Sequence, residues 1–170
     1  GLTLARRVLL GDSMEEQKTR VNDYEEFLGQ TLGEALLEPT RIYVKPIMEM
    51  LDSGIDLKAM VHITSGGFCN LNRVECDNIR FVIDTLQPVP EIFNLIQDRG
   101  GVSEAEMFEV FNMGTGFCLV VEGTNEVEAV TETCKNNDLS CQVIGQVEGC
   151  QGKEVSLPQK QLTGKGSRFT

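Results

Sequence analysis

The stretch Ala59-Met60-Val61-His62-Ile63-Thr64-Ser65-Gly66-Gly67 decides how the chain is read. Its first five residues are largely apolar and predict a strand, which runs straight into two hydroxyls and two glycines. That is the shape of a strand-to-helix turn. Working outward, further strands are expected at Arg80–Ile83, Gly116–Glu122, Cys141–Val147 and Glu154–Leu157. Between them lie helical patterns. One covers the first ten residues, with Leu2, Leu4, Val8 and Leu9 on a face that stops at Gly11. A short one spans Leu32–Leu37 and is ended by Pro39, and another has Pro46 in its first turn and is closed by Ser53-Gly54. Pro90 opens a helix that Gly100-Gly101 ends, Ser103-x-x-Glu106 reads as a capping box, and Asn125-x-x-Glu128 starts the last helix. Residues 11–30 read as a polar loop with a short helix. Strands alternating with helices predict an α/β domain, a mixed β-sheet with helices packed on its faces. The expected domain covers residues 1–157, followed by an irregular tail over 158–170 that is rich in Lys, Gln, Gly and Ser.

At 170 residues, 41% of them hydrophobic and 24% charged, the chain suits one domain with a real core. No apolar run reaches the eighteen residues that a membrane helix needs. The opening Gly1-Leu2-Thr3-Leu4-Ala5-Arg6-Arg7 lacks both a signal-peptide pattern and an initiator methionine, so the chain is expected to begin inside a longer protein. A net charge of -11 argues against nucleic acid as a partner, although local N–H groups or one arginine can still bind a phosphate. The six cysteines include no C-x-x-C pair, and there is a single histidine. A zinc site and a disulfide framework are therefore both disfavoured, and the cysteines read as reduced core residues of a cytosolic protein.

Three segments carry candidate chemistry. In the first, glycines after the strand let backbone N–H groups approach an anion, with Thr64 and Ser65 as added donors. It is not a P-loop, because no G-x-x-x-x-G-K-[ST] pattern occurs. A ligand-free tight turn fits the same residues. His62 suits a proton carrier or a donor to a phosphoryl group, and equally a hydrogen-bonded strand end. The second segment, Pro39-Thr40-Arg41-Ile42-Tyr43-Val44, sets an arginine beside a hydroxyl and a tyrosine, a combination suited to a phosphate or carboxylate. An ion pair to one of the 26 acidic residues is the plainer role for Arg41. The third, Phe111-Asn112-Met113-Gly114-Thr115-Gly116, has a G-x-G that precedes a strand, whereas a dinucleotide fingerprint follows one. It reads as a glycine-rich turn with Asn112 facing a ligand. One histidine and no nucleophile elbow leave hydrolase chemistry without support.

Taken together, these segments resemble the C-terminal half of the aminoimidazole ribonucleotide synthetase family (phosphoribosylformylglycinamidine cyclo-ligase). Leu37-Glu38-Pro39-Thr40-Arg41-Ile42-Tyr43-Val44 resembles its L-x-P-T-R-I-Y-V run. His62–Gly67 resembles its H-I-T-G-G-G motif, with Ser65 where the family usually has glycine. Glu106-Met107-Phe108 with Phe111–Gly116 resembles its E-M-x-x-x-F-N-x-G-x-G run, and Gly1–Arg6 the end of an H-S-N-G-x-x-L-x-R segment.

The resemblance implies an α/β fold partly like the ferredoxin-like arrangement, and an ATP-dependent ligase of purine biosynthesis in the cytoplasm. In that reaction ATP phosphorylates the formyl oxygen of formylglycinamidine ribonucleotide. The ring-forming nitrogen attacks the activated carbon, phosphate leaves, and the imidazole closes. The resemblance further implies that ATP and Mg2+ are bound mainly by an N-terminal half, that this half is a partner of the present domain, and that the full protein is a homodimer. The fragment alone would be inactive. For this chain it implies His62 as donor or proton carrier, Thr64, Ser65, Gly66 and Gly67 as members of an anion loop, Arg41 and Asn112 as cleft residues, and no metal ligand. Rival readings are a sister ATP-using enzyme, of the selenophosphate synthetase or thiamine monophosphate kinase type, and a non-catalytic binding or assembly domain.

Overall fold

A computed structural model describes residues 1–170. Helix α1 (Leu2–Leu10) buries Ala5, Leu9 and Leu10. Helix α2 (Met14–Arg20) starts at a capping box. The Ser13 hydroxyl accepts from the Glu16 N–H, and the Glu16 carboxylate accepts from the Ser13 N–H. A small antiparallel pair, β1 (Tyr24–Glu25) and β2 (Gln30–Thr31), leads into α3 (Leu32–Leu37), where Thr31 and Glu34 form a second capping box. Helix α4 (Val44–Asp52) carries Pro46 in its first turn and ends at Ser53.

Strand β3 (Leu57–His62) comes next, then a 3-10 helix over Gly67–Arg73 and strand β4 (Ile79–Ile83). Helix α5 (Glu91–Gly100) is capped by Gly101 in the left-handed region. Helix α6 (Glu104–Val110) has the Ser103 hydroxyl accepting from the Glu106 N–H, without the return bond that a full capping box needs. Strand β5 (Phe117–Val121), helix α7 (Thr124–Asn136), β6 (Gly145–Gly149), β7 (Lys153–Leu157), β8 (Leu162–Lys165) and β9 (Arg168–Phe169) complete the chain.

The α/β reading holds, with the strands divided between two larger sheets. Strands β3 and β5 form an antiparallel pair of their own. The five-stranded sheet runs β6-β4-β7-β8-β9 and is mixed, because β4 and β7 are parallel and the other pairs antiparallel. Strand β5 separates two apolar clusters by simple alternation. Cys118 and Val120 face the main core with Phe68, Phe81, Phe108 and Val155, while Leu119 and Val121 face a smaller core built on Met50, Val130 and Cys134.

Three expectations change. The strand expected from Cys141 begins at Gly145, because the Ile144 carbonyl accepts from both Asp84 and Thr85 N–H groups and closes the ladder there. At Gly145 itself the Val82 carbonyl lies where a Cβ would stand. Residues 158–170 are not an irregular tail. Strands β8 and β9 extend the mixed sheet, and Phe169 is buried in the main core. Nor are the cysteines uniformly core residues: all six are free thiols, with Cys69, Cys118 and Cys134 buried but Cys76 exposed.

One ion-pair cluster ties the mixed sheet together. The nearly buried Glu154 on β7 accepts from Arg80 Nε on β4 at 2.6 Å and lies 3.4 Å from Lys165 Nζ on β8. The bond from Arg80 holds the Glu154 carboxyl below the usual carboxylate range. Burial opposes this and Lys165 assists it. A carboxyl depressed by folding adds stability above its unfolded pKa of about 4.3, and that stability disappears as the pH falls through the folded value. Glu154→Gln should therefore flatten the acid limb of a plot of urea midpoint against pH. An unchanged limb would mean that this cluster plays no part in acid unfolding. Phe169→Ala should lower stability by about 3–5 kcal/mol in chemical denaturation, the usual cost of emptying a buried phenylalanine site. A loss well under 1 kcal/mol would show that the last strands do not belong to the cooperative unit.

Candidate functional site

Strand β3 ends where the glycine turn begins. Its last ladder contact beyond His62 is the Ile63 N–H, which donates to the Gly116 carbonyl at 2.9 Å. That bond ties the 64–67 turn to the 111–116 turn. Gly66 and Gly67 both lie in the left-handed region, with φ of 114° and 49°. Gly67 is required twice over, because a Cβ there would land on the Phe108 carbonyl oxygen and crowd that of Phe111. Ser65 is not among the positive-φ residues, so a serine costs the turn nothing in backbone strain.

Asn70, 1% exposed, holds the turn from below. Its Oδ1 accepts from the Thr64 N–H at 2.8 Å and from the Thr64 hydroxyl at 3.3 Å, and its Nδ2 donates to the Ser65 carbonyl at 3.4 Å. The Gly67 N–H donates to the Thr64 carbonyl at 2.9 Å. Of the expected anion-loop donors, the N–H groups of Thr64 and Gly67 are thus already engaged. The N–H groups of Ser65 and Gly66 have no protein acceptor, and the Ser65 hydroxyl is also uncommitted. The turn leads into the seven-residue 3-10 helix.

On the opposite side, the Asn112 Oδ1 accepts from the Gly114 N–H at 3.1 Å and its carbonyl from the Thr115 N–H at 2.8 Å. This leaves the Asn112 Nδ2 free. Thr64, Ser65 and Asn112 line one cleft of about 180 Å³, walled by Ile63, Phe93 and Phe111. No acidic side chain lines it. Such a cleft can present neutral hydrogen-bond donors to an anion despite the acidic surface.

His62 and Arg41 lie elsewhere. His62 is exposed, and its ring centroid is 5.7 Å from both Tyr43 and Phe117. Arg41 is exposed, forms no ion pair within 4 Å, and borders a different cavity beside Tyr43. No group of three or more His, Cys, Asp or Glu side chains is placed to hold a metal ion.

Residues 1–158 match the family model described as AIR synthase related protein, C-terminal domain. The chain belongs to this family. A phosphoribosylformylglycinamidine cyclo-ligase of Methanococcus maripaludis (strain C7) is 40% identical over 163 residues, 96% of this chain and 44% of that protein. One from Bacillus licheniformis is 42% identical over 154 residues, covering 89% and 43%. One from Methanocaldococcus jannaschii is 42% identical over 149 residues, covering 86% and 40%. The chain therefore spans less than half the length of these relatives.

Within this family domain, Asn70 is the residue of the candidate site that the motifs do not mark. Its one signal was an amide inside the otherwise apolar run Gly67-Phe68-Cys69-Asn70-Leu71. Asn70→Ala should lower stability by about 1–3 kcal/mol, since it removes the three hydrogen bonds that the buried Asn70 amide makes to the turn. It should also speed hydrogen exchange at the Thr64 N–H. Exchange at the wild-type rate would show that Asn70 does not hold the turn.

Proposed function

We propose that this chain is the C-terminal domain of an ATP-dependent phosphoribosylformylglycinamidine cyclo-ligase, acting in purine biosynthesis in the cytoplasm. The observation that carries this reading is identity of about 40% to cyclo-ligases across nearly the whole chain. The cleft between the two glycine turns supports it. In the proposed role, the free N–H groups of Ser65 and Gly66, with the Ser65 hydroxyl and the Asn112 Nδ2, hold a phosphate of the substrate or the phosphoryl group in transit, while Thr64 shapes the turn through its bonds to Asn70. Gly67 contributes by its shape, because its own N–H is spent inside the turn.

ATP phosphorylates the formyl oxygen of formylglycinamidine ribonucleotide. Attack by the ring-forming nitrogen then closes the imidazole and expels phosphate. By the likeness to the cyclo-ligases, ATP and Mg2+ are assigned mainly to the rest of the full-length protein, working as a homodimer. His62 is the proposed proton carrier. It is exposed on the Tyr43 side of the strand that feeds the turn, not in the cleft, so in this role it would serve a part of the substrate that reaches that face.

The test is the full-length protein supplied with ATP, magnesium and formylglycinamidine ribonucleotide. Equal yields of aminoimidazole ribonucleotide and ADP are expected. ATP binding without product, from folded protein, would favour a sister enzyme or a binding domain. His62→Ala should slow turnover at least ~10-fold, at the low end of general acid-base contributions. Unchanged kinetics would remove His62 from the reaction.

A further inference from the structure

A larger cavity, about 400 Å³, lies between β5 with helices α4 and α7 on one side and the 139–147 segment on the other. It shares no lining residue with the glycine-turn cleft. Its size falls in the range of small-molecule sites, about 300–1,000 Å³. The walls are mostly apolar, contributed by Leu119 and Val121 of β5, Val127 and Val130 of α7, and Phe81 and Ile83 of β4.

The charge pattern of the lining is unusual for this chain. The protein has 26 acidic residues and a net charge of -11, yet no Asp or Glu lines the cavity. Arg41 is its one charged residue. Being exposed, Arg41 sits at the solvent end, and it has no ion-pair or hydrogen-bond partner in the protein. Tyr43 lies beside it, close enough for the arginine charge to act on the phenol. The Tyr43 hydroxyl packs directly over Gly116, where a Cβ would collide with it, and it too makes no protein hydrogen bond. Deeper inside, burial pushes the Cys118 and Cys134 thiols up to about 12, which describes a poorly hydrated interior.

We propose that this cavity binds a small apolar carboxylate, with its hydrocarbon body between β5 and α7 and its carboxylate on Arg41 and Tyr43. An arginine fork matches two carboxylate oxygens, and a neighbouring phenol can donate a third bond. A neutral apolar molecule would fill the same walls but leave the arginine unused. The polar side chains of the lining (Gln87, Thr115, Thr131, Ser140, Gln142 and Gln146) are outnumbered by its apolar ones, so a phosphorylated sugar would bury its hydroxyls against walls that are mostly hydrocarbon.

The experiment is an NMR titration of the protein with octanoate, held below its micelle concentration, and in parallel with 1-octanol. Saturable shifts are expected at the amides of Gly116, Leu119 and Val127. Arg41→Gln, at an exposed site that leaves the core intact, should weaken octanoate about 10-fold while changing 1-octanol less than 2-fold. Val127→Phe, which fills the cavity from the face of α7, should weaken both ligands. Absence of saturable shifts at these amides in the wild-type protein would overturn the proposal. So would octanoate binding that Arg41→Gln leaves unchanged, or that Arg41→Gln weakens no more than it weakens 1-octanol. Neither result bears on the cyclo-ligase reading, whose cleft and assay are separate.

Discussion

The architecture turns on one close approach, the packing of Gly67 against the carbonyl of Phe108. Two independent demands meet at this residue: a left-handed backbone, and no room for a side chain. Satisfying both lets the 3-10 helix lie flat on α6, with Phe68 and Phe108 in ring contact at 5.8 Å between centroids. The same contact sets Thr64 and Ser65 across from Asn112. Any side chain at position 67 would have to lift the turn away from α6, which would open the main core and widen the cleft together. Stability and site geometry are therefore coupled through this one glycine.

Around that contact, hydrogen bonding divides the turn into a structural half and a free half. Asn70 takes up Thr64, and the Thr64 carbonyl takes up Gly67. These bonds leave the Ser65 and Gly66 N–H groups pointing to no protein acceptor. A buried amide making three short-range bonds is expensive to disturb, because any loss leaves the Asn70 amide itself unsatisfied inside the core. The free donors are thereby preorganised, and an incoming anion need not reshape the loop to use them. The serine at position 65 fits this division, since the left-handed residues are its two glycine successors.

The elements legible in the sequence were those whose signal is local. Short apolar runs marked β3, β4 and β5, and proline and glycine punctuation marked the bounds of α4 and α5. The glycine turns were visible for the same reason. What escaped was set by partners far away in the chain. Strands β8 and β9 read as a polar tail because an edge ribbon buries little more than Gly164 and Phe169 on one face. The start of β6 is fixed by its register with Val82 and Ile83, much earlier in the chain, and not by its own composition. Arg41, His62 and the glycine turn were grouped by their place in three motifs, yet the β3–β5 ladder carries His62 toward Tyr43 and away from the Thr64 cleft. Residues adjacent in a strand face opposite sides, and no reading of motif order alone reveals which side holds the ligand.

The acidic character of the chain sharpens what its two concave sites can do. At physiological ionic strength, exposed charges are screened beyond about 8 Å, so a net charge of -11 shapes the approach of a ligand more than its final contacts. Both the glycine-turn cleft and the inter-sheet cavity exclude acidic side chains from their linings. They differ in what they offer instead. The cleft presents neutral donors on short, fixed loops, which suits a compact, multiply hydrogen-bonded anion. The cavity presents one flexible cation over apolar walls, which suits a single charge attached to a hydrocarbon body. With the same overall charge around them, the two proposed sites would select different anions through how each replaces the water that the anion gives up.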